Sequence, residues 1–309
     1  MEYRELGQTG LKVSALSYGA SSLGSMFHSN DEADGIRTVH AALDLGINYI
    51  DVSPFYGITK AETVLGRALR GIPRDRYFLA TKAGRYGDAD FDFSAGRVTK
   101  SVDESLARLG VDYLDLIQVH DIEYGSLDQV VQETLPALRR LQKTGKVRLV
   151  GITGFPLSIF RYVLERANVD TILSYSHFTL QDTTLMDLVP MLHRRGVGVI
   201  NASPLGQGLL TQRGTPGWHP APVEIKAVCA QATAYCRSQG FDIAQLAIQF
   251  SVAQPDIATT LVSTGNPDNI TKNVRWLDAP IDQEMLARVQ KILAPIYNHT
   301  WPSGRPENN

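Results

Sequence analysis

Cysteine is nearly absent from this chain: 309 residues contain two, Cys229 and Cys236. A lone pair spaced C-x6-C supplies neither a disulfide framework nor a zinc ligand set, so both read as reduced structural thiols. The seven histidines are scattered, without ligand spacing or acidic and thiol partners, and no metal is expected. Long apolar runs are missing too. No stretch approaches the roughly 18 continuous apolar residues of a membrane span, and Met1-Glu2-Tyr3-Arg4-Glu5 shows no basic region followed by an apolar run, so the expected location is the cytoplasm. Neither charge dominates: 30 Lys and Arg against 32 Asp and Glu leave a formal net charge of −2, which gives nucleic acid no electropositive stripe. Repeats, low-complexity tracts and linkers are also lacking, and with 43% apolar residues the chain has ample material for one large core.

What is present is an alternation of short apolar runs with amphipathic helical segments. A hairpin signal, Gly7-Gln8-Thr9-Gly10, lies between two short alternating runs from Tyr3 to Val13 and precedes the main fold. Strand candidates follow at Val13–Gly19, Asn48–Asp51, Tyr77–Thr81, Tyr113–Val119, Val147–Ile152, Thr171–Ser174, Val197–Ala202 and Thr259–Val262. Helical periodicity is plain over Arg97–Leu109, where Val98, Ser101, Val102, Ser105, Leu106 and Leu109 share a face before Gly110, and again over Leu127–Leu141. Eight βα units close naturally into a barrel, so the expected fold is a single (β/α)8 TIM barrel over residues 1–309 with an N-terminal β-hairpin cap. A long functional loop is expected after strand seven, from Pro204 to Val223, where Gly and Pro crowd. The tail from Pro295 has no amphipathic period and either packs across a barrel end or frays.

In such a barrel the chemistry sits at the C-terminal strand ends. Strand two ends in Asp51, Lys82 follows strand three, His120 follows strand four, and Tyr56 lies just beyond Asp51. Taken singly, each has an ordinary structural explanation: a turn acid, a solvated cation, a hydrogen-bonded histidine, an aromatic at the edge of the core. Together, three strands delivering ionisable side chains to one rim suit hydride transfer coupled to proton transfer at an alcohol or carbonyl. A free tyrosine, with a pKa near 10, is a poor base at neutral pH. A lysine cation about 4 Å away contributes about 4 kcal/mol at an effective dielectric near 20, which is expected to bring the phenol toward the neutral range. Asp51 would keep Lys82 charged, and His120 would hydrogen-bond the reacting oxygen.

These residues sit in runs that resemble the aldo-keto reductases: Gly46-Ile47-Asn48-Tyr49-Ile50-Asp51-Val52-Ser53-Pro54-Phe55-Tyr56-Gly57, Ala80-Thr81-Lys82, and Ser105-Leu106-Ala107-Arg108-Leu109-Gly110-Val111-Asp112-Tyr113-Leu114-Asp115-Leu116 leading to His120. The resemblance covers nearly the whole chain. It implies a barrel with a nicotinamide cofactor and an Asp, Tyr, Lys, His tetrad at Asp51, Tyr56, Lys82 and His120, with the tyrosine moving the proton. Cofactor contacts implied by it fall on Gly19, Ala20, Thr153, Ser174, Ser203, Leu205, Gly208, Ser263, Thr264, Asn269 and Asn273, with Ser203 to Gly208 as the pyrophosphate clamp. Three positions depart from the family pattern: Gly154 replaces an asparagine, Ser174 a glutamine, and Ala202 a ring-stacking aromatic. The lysine and arginine that bind a 2′-phosphate in NADPH-using members are here Ser263 and Asn269, with Asp268 alongside, so NAD is expected over NADP.

Further runs, Phe91-Asp92-Phe93-Ser94, His120 to Gln129, Trp218-His219-Pro220-Ala221 and Thr300-Trp301-Pro302-Ser303-Gly304, resemble a branch of the family that oxidises C1 of an L-sugar, L-galactose or L-fucose, to the lactone with NAD. Candidate sugar contacts are His177, Gln181, Trp218 and His219. The competing expectations are an NADPH-dependent aldehyde or ketone reductase, and a regulatory barrel that binds cofactor without turnover.

Overall fold

Eight parallel strands close into a barrel in a computed structural model that describes residues 1–26 and 29–309. Ahead of them, β1 (Tyr3–Glu5) and β2 (Lys12–Ser14) pair antiparallel as the expected hairpin. The barrel strands are β3 (Leu16–Gly19), β4 (Tyr49–Asp51), β5 (Phe78–Ala83), β6 (Leu114–Val119), β7 (Val147–Gly154), β8 (Thr171–Tyr175), β9 (Gly198–Ala202) and β10 (Thr259–Val262), in the order β10-β3-β4-β5-β6-β7-β8-β9. The run expected as one strand from Val13 to Gly19 is divided: Val13 stays with the hairpin and the barrel strand begins at Leu16.

The hairpin plugs one end. Leu6, Leu11 and Val13 pack onto an interior layer of Tyr49, Ala80, Leu116, Leu173 and Ile200, and the Gln8 N–H donates to Gly196 O at 2.8 Å. Side chains along a strand alternate faces, so the residues two positions further on from that layer also point inward: Asp51, Lys82, Gln118 and Tyr175. The plugged end sets the apolar floor on which those groups stand.

Around the barrel, the helix Ala95–Leu109 starts two residues before the expected boundary. Ser94 Oγ accepts from the Arg97 N–H, and Gly110 ends the helix at φ +67°. The segment expected as one helix from Leu127 is instead broken by a π-turn at Val130–Thr134, where the Leu135 N–H reaches back to Val130 O and Pro136 has no N–H for the ordinary ladder. The loop after β9 is long, with one 3-10 turn at Gly206–Gly208, and gives way to the helix Val223–Ser238. That helix and Gln283–Leu293 share a second apolar cluster with Leu209, Leu210, Phe155 and Trp301 at the open end. The tail packs and does not fray: Trp301 and Asn308 are buried. No helix among the described residues is long and apolar enough to cross a membrane.

Candidate active site

Strand register brings the expected groups together. Asp51 pairs in the ladder with Ala80, two residues before Lys82, and Lys82 pairs with Gln118, two residues before His120. Lys82 is 1% exposed and Asp51 2%, so the ammonium exists only because its three hydrogens are taken. Its Nζ donates to Asp51 Oδ1, to Val52 O at 3.0 Å and to Tyr56 Oη at 3.2 Å. Gln118 Nε2 donates to the other Asp51 oxygen at 2.7 Å. Burial works against the Lys82 charge, but Asp51 and Tyr56 outweigh it and hold the pKa above the ordinary lysine value. For Tyr56 the balance falls the other way: burial holds the phenol above its ordinary pKa, against the opposing pull of Lys82. The expectation that Lys82 brings the phenol toward the neutral range is thereby corrected, because desolvating the phenolate outweighs the pull of the lysine.

His120 stands across from Tyr56, ring edge to face with centroids 5.8 Å apart. Its Nδ1 lies 3.0 Å from Ser53 Oγ, and its Nε2 3.6 Å from Asp121 Oδ2. Burial pushes its pKa down to about 3, so the ring is neutral. Asp121 adopts φ +49°, a conformation costly for a residue with a side chain. It is held by Thr153, whose Oγ1 accepts from the Asp121 N–H at 2.9 Å and donates to Oδ1 at 3.2 Å. Arg85 Nη1 donates to Asp121 Oδ2 at 2.6 Å, and its guanidinium lies over the rings of Phe55, Phe91 and Tyr124. Arg85 and Asp121 make an ion pair on the cavity wall that the strand-end argument missed.

The cavity above these groups has a volume of about 1800 Å³, larger than the roughly 300–1,000 Å³ of an ordinary small-molecule pocket. Besides the groups above, its wall includes Gly19, Leu205, Thr264, Asn273, Trp218 and Trp301. The family model described as Aldo/keto reductase family matches residues 15–294. This chain belongs to the aldo/keto reductase family. It is an oxidoreductase acting on CH–OH groups, of a family that binds a nicotinamide cofactor. L-galactose dehydrogenase of Arabidopsis thaliana is 51% identical over 317 aligned positions, covering 100% of this chain and 99% of that one. D-arabinose 1-dehydrogenase of Saccharomyces cerevisiae is 30% identical, covering 95% of each. Among solved structures, an aldo-keto reductase from Bacillus halodurans in its holo form superposes with a TM-score of 0.78 at 26% identity, covering 100% of this chain and 99% of that one.

The aldo-keto reductase cofactor has a fitting cradle here. The helix Pro267–Trp276, capped by Asn266, opens beside Thr264 at the cavity wall, and a helix N-terminus with free N–H groups suits an anion. After the neighbouring strand β9, Ser203, Leu205 and Gly208 of the Gly-rich loop also line the wall, with Ser203 and Gln207 at positive φ. Ser263, Asn269 and Asn273 lie there too, but the Ser263 hydroxyl is already engaged by Ser21 Oγ at 2.9 Å and by the Ser22 N–H at 3.1 Å. Lys272 donates to Asp242 Oδ2 at 3.1 Å and lies over the Trp276 ring.

Several expected contacts are placed elsewhere. Ser174 is fully buried on the outward face of β8, and its neighbours Leu173 and Tyr175 reach the cavity instead. Ala20 is fully buried behind Gly19, which does line the wall. Thr153 lines the wall, yet its hydroxyl is spent on Asp121. His177 and Gln181 are buried off the wall: His177 Nδ1 meets Asp182 at 3.1 Å and Thr184 at 3.0 Å, and Gln181 Oε1 accepts from Thr179 at 2.7 Å. His219 is buried as a staple, its Nε2 donating to Gly206 O at 3.0 Å while Nδ1 accepts from the Ala221 N–H. Of the four candidate sugar contacts, Trp218 alone is on the wall, half-exposed at the mouth.

Phe155, Tyr175 and Trp301, which sequence reasoning did not assign, form the aromatic side opposite. Phe155 stacks on Trp301 with centroids 5.0 Å apart. Behind them Glu123 Oε1 accepts from the Phe155 N–H and Tyr175 Oη at 3.2 Å each, and from Ser303 Oγ at 3.3 Å. A Cβ on Gly154 would stand 2.2 Å from Ile159 Cδ1 and 2.7 Å from Glu123 Oε2, which is why the asparagine usual in the family has no room here.

Proposed function

We propose that this aldo-keto reductase oxidises the C1 hydroxyl of an L-aldose, L-galactose first and L-fucose next, to the sugar lactone with NAD. The observation that carries the reading is the Lys82 ammonium bridging Asp51 and the Tyr56 oxygen at the floor of the cavity, next to neutral His120. Nicotinamide, when bound, supplies the two-electron acceptor for C1. Tyr56 Oη takes the proton of the C1 hydroxyl, and Lys82 at 3.2 Å holds the phenolate charge that this requires. His120 donates to the same substrate oxygen as it gains carbonyl character, a bond worth more in the product-like transition state than in the ground state. Asp51 and Gln118 keep the ammonium in place.

The 51% identical L-galactose dehydrogenase and the D-arabinose 1-dehydrogenase support an aldose as substrate. Preference for NAD is supported by the neutral residues at Ser263 and Asn269, by Asp268, and by the commitment of Lys272 to Asp242, which together leave a 2′-phosphate dianion with repulsion and little to pair with. The test is a panel of L- and D-aldoses against NAD and NADP, followed as cofactor absorbance. The expected result is fastest NADH formation with L-galactose. Preference for NADP, or turnover confined to simple aldehydes, would support the reductase reading instead, and cofactor binding without turnover on the whole panel the regulatory one.

A further inference from the structure

Ser53 has no part in the tetrad, yet it is fully buried and its hydroxyl touches the one tetrad member whose protonation state has two neutral forms. Neutral histidine carries its proton on Nδ1 or on Nε2, and which one decides whether the ring offers the substrate a donor or a lone pair. Ser53 Oγ has two recorded partners among the described residues, the Phe55 N–H at 3.1 Å and His120 Nδ1 at 3.0 Å. An amide N–H can only donate, so it occupies a lone pair of Oγ. The single hydroxyl proton then has Nδ1 as its one acceptor. With the proton on Nδ1 instead, two donors would point at Oγ and the serine hydrogen would be stranded where water does not reach.

The other side of the ring agrees independently. Nε2 lies 3.6 Å from Asp121 Oδ2, which already accepts from Arg85 at 2.6 Å. A proton on Nε2 is drawn toward that carboxylate, whereas a lone pair there is repelled. The rings of Phe55 and Tyr56, both with centroids 5.8 Å from His120, bracket the imidazole and restrict its rotation.

We infer that Ser53 is a positioning residue, which fixes His120 as the Nε2–H tautomer and so keeps a hydrogen-bond donor facing the substrate oxygen beside Tyr56. The inference rests on the dehydrogenase reading for its consequence and on hydrogen-bond accounting for its geometry. An Nε2 donor favours an oxygen becoming a carbonyl, and an Nε2 lone pair opposes it. Loss of the fixed tautomer therefore lowers kcat more than it alters binding.

The experiment is a long-range proton–nitrogen correlation spectrum of 15N-histidine-labelled protein with NAD and no sugar, which separates the two tautomers by their ring nitrogen shifts. Wild-type His120 is expected as a single Nε2–H form across neutral pH. Ser53→Ala is expected to populate both forms and lower kcat about tenfold or more, with the KM for NAD unchanged. Ser53→Thr, which keeps the hydroxyl, is expected to restore the Nε2–H signal. In a His120→Asn background, Ser53→Ala is expected to change kcat less than about twofold. An Nδ1–H signal in the wild type overturns the inference, and so does a Ser53→Ala protein whose tautomer is unchanged. Because the spectra need no sugar, failure of the L-aldose assignment leaves this result readable, and the wild-type spectrum decides the matter even where Ser53→Ala does not fold.

Discussion

The two sides of the cavity are built by different means. On one side Asp51, Lys82, Gln118 and His120 stand on or directly after adjacent parallel strands, buried, each fixed by a backbone ladder that a side-chain substitution leaves intact. On the other, Tyr124, Trp218 and Trp301 come from loops and the tail; they are held by stacking, Tyr124 on Phe91, Trp218 on His219 and Trp301 on Phe155, and by side-chain bonds to backbone. The lesson is a division of labour. The proposed proton transfer tolerates little displacement, and its groups stand on the ladder or, like Tyr56 in the turn after β4, are bonded to it through Lys82, whereas the other wall is made of segments that can change without disturbing the barrel.

The largest effect is expected on the strand side. Tyr56→Phe removes one oxygen that Lys82 reaches, and kcat for sugar oxidation should fall about 10²–10⁴-fold, the range for loss of a general base. NAD affinity, read by fluorescence titration, should stay the same, since the ladder is intact. Turnover near the wild-type level would remove the chemical role from this side altogether. Because burial holds the Tyr56 pKa above its ordinary value, the reactive phenolate is scarce at neutral pH. Oxidation in the wild type should therefore keep rising with pH up to about 10, whereas reduction of the lactone, which uses the protonated phenol, should stay nearly flat over the same range. A plateau near neutrality would mean that the bound complex draws the phenol down far more than Lys82 does.

Trp301→Ala tests the loop and tail side. Trp301 stacks on Phe155 and meets His219 edge-on, so its loss should raise the KM for the sugar about tenfold while kcat moves less than about threefold. A collapse of kcat with unchanged KM would erase the distinction between the two sides. A smaller effect is expected at the cofactor end, where Asn269→Arg adds a guanidinium to a rim whose Lys272 is paired with Asp242. The ratio of kcat/KM for NADP over NAD should rise by up to about tenfold, roughly 1.4 kcal/mol for one exposed guanidinium–phosphate contact. No change in that ratio would move the 2′ position away from Asn269.

The same division explains what could be read from the letters. Strand ends are legible because an apolar run stopping at a charge, as at Asp51 and Lys82, is informative by itself, and period-2 alternation then gives the facing direction. Alternation also had the means to replace Ser174 by Tyr175: counting inward from Leu173 reaches 175, not 174. Loop positions offer no such rule. His177, Gln181 and His219 are polar residues in loops, as sugar contacts commonly are, but their hydrogen bonds to Asp182, Thr179 and Gly206 exist only once the chain has folded back on itself. Arg85 and Asp121 escaped notice for the same reason, since their pairing joins loops after different strands. Trp301, from a tail without helical period, lies on the wall where Arg305 and Asn308 bond to the backbone of residues 123–125.

Glu123 is where the two sides meet, and it yields the expectation that touches catalysis least. Its carboxyl supports Phe155, Tyr175 and Ser303, and its backbone oxygen accepts from the Arg305 N–H at 2.9 Å and Asn308 Nδ2 at 2.8 Å. Gly304 passes so close that a Cβ there would lie 2.4 Å from that oxygen. Burial, reinforced by the Asp121 charge, pushes the Glu123 pKa up to about 8, and among the described residues Oε2 has no hydrogen-bond partner to favour a carboxylate. The folded state therefore keeps a proton that the unfolded chain, with a glutamate pKa near 4.3, has already released. Stability from this group is greatest in acid, declines as pH rises between about 4.3 and 8, and declines no further above that. Glu123→Gln imitates the protonated acid and removes the slope. The difference in Tm, variant minus wild type, should grow with pH through that window and level off beyond it, with the KM for the sugar little changed. A difference constant from pH 5 to 9 would mean that the carboxyl is ionised in the fold and that the tail is held against a charge.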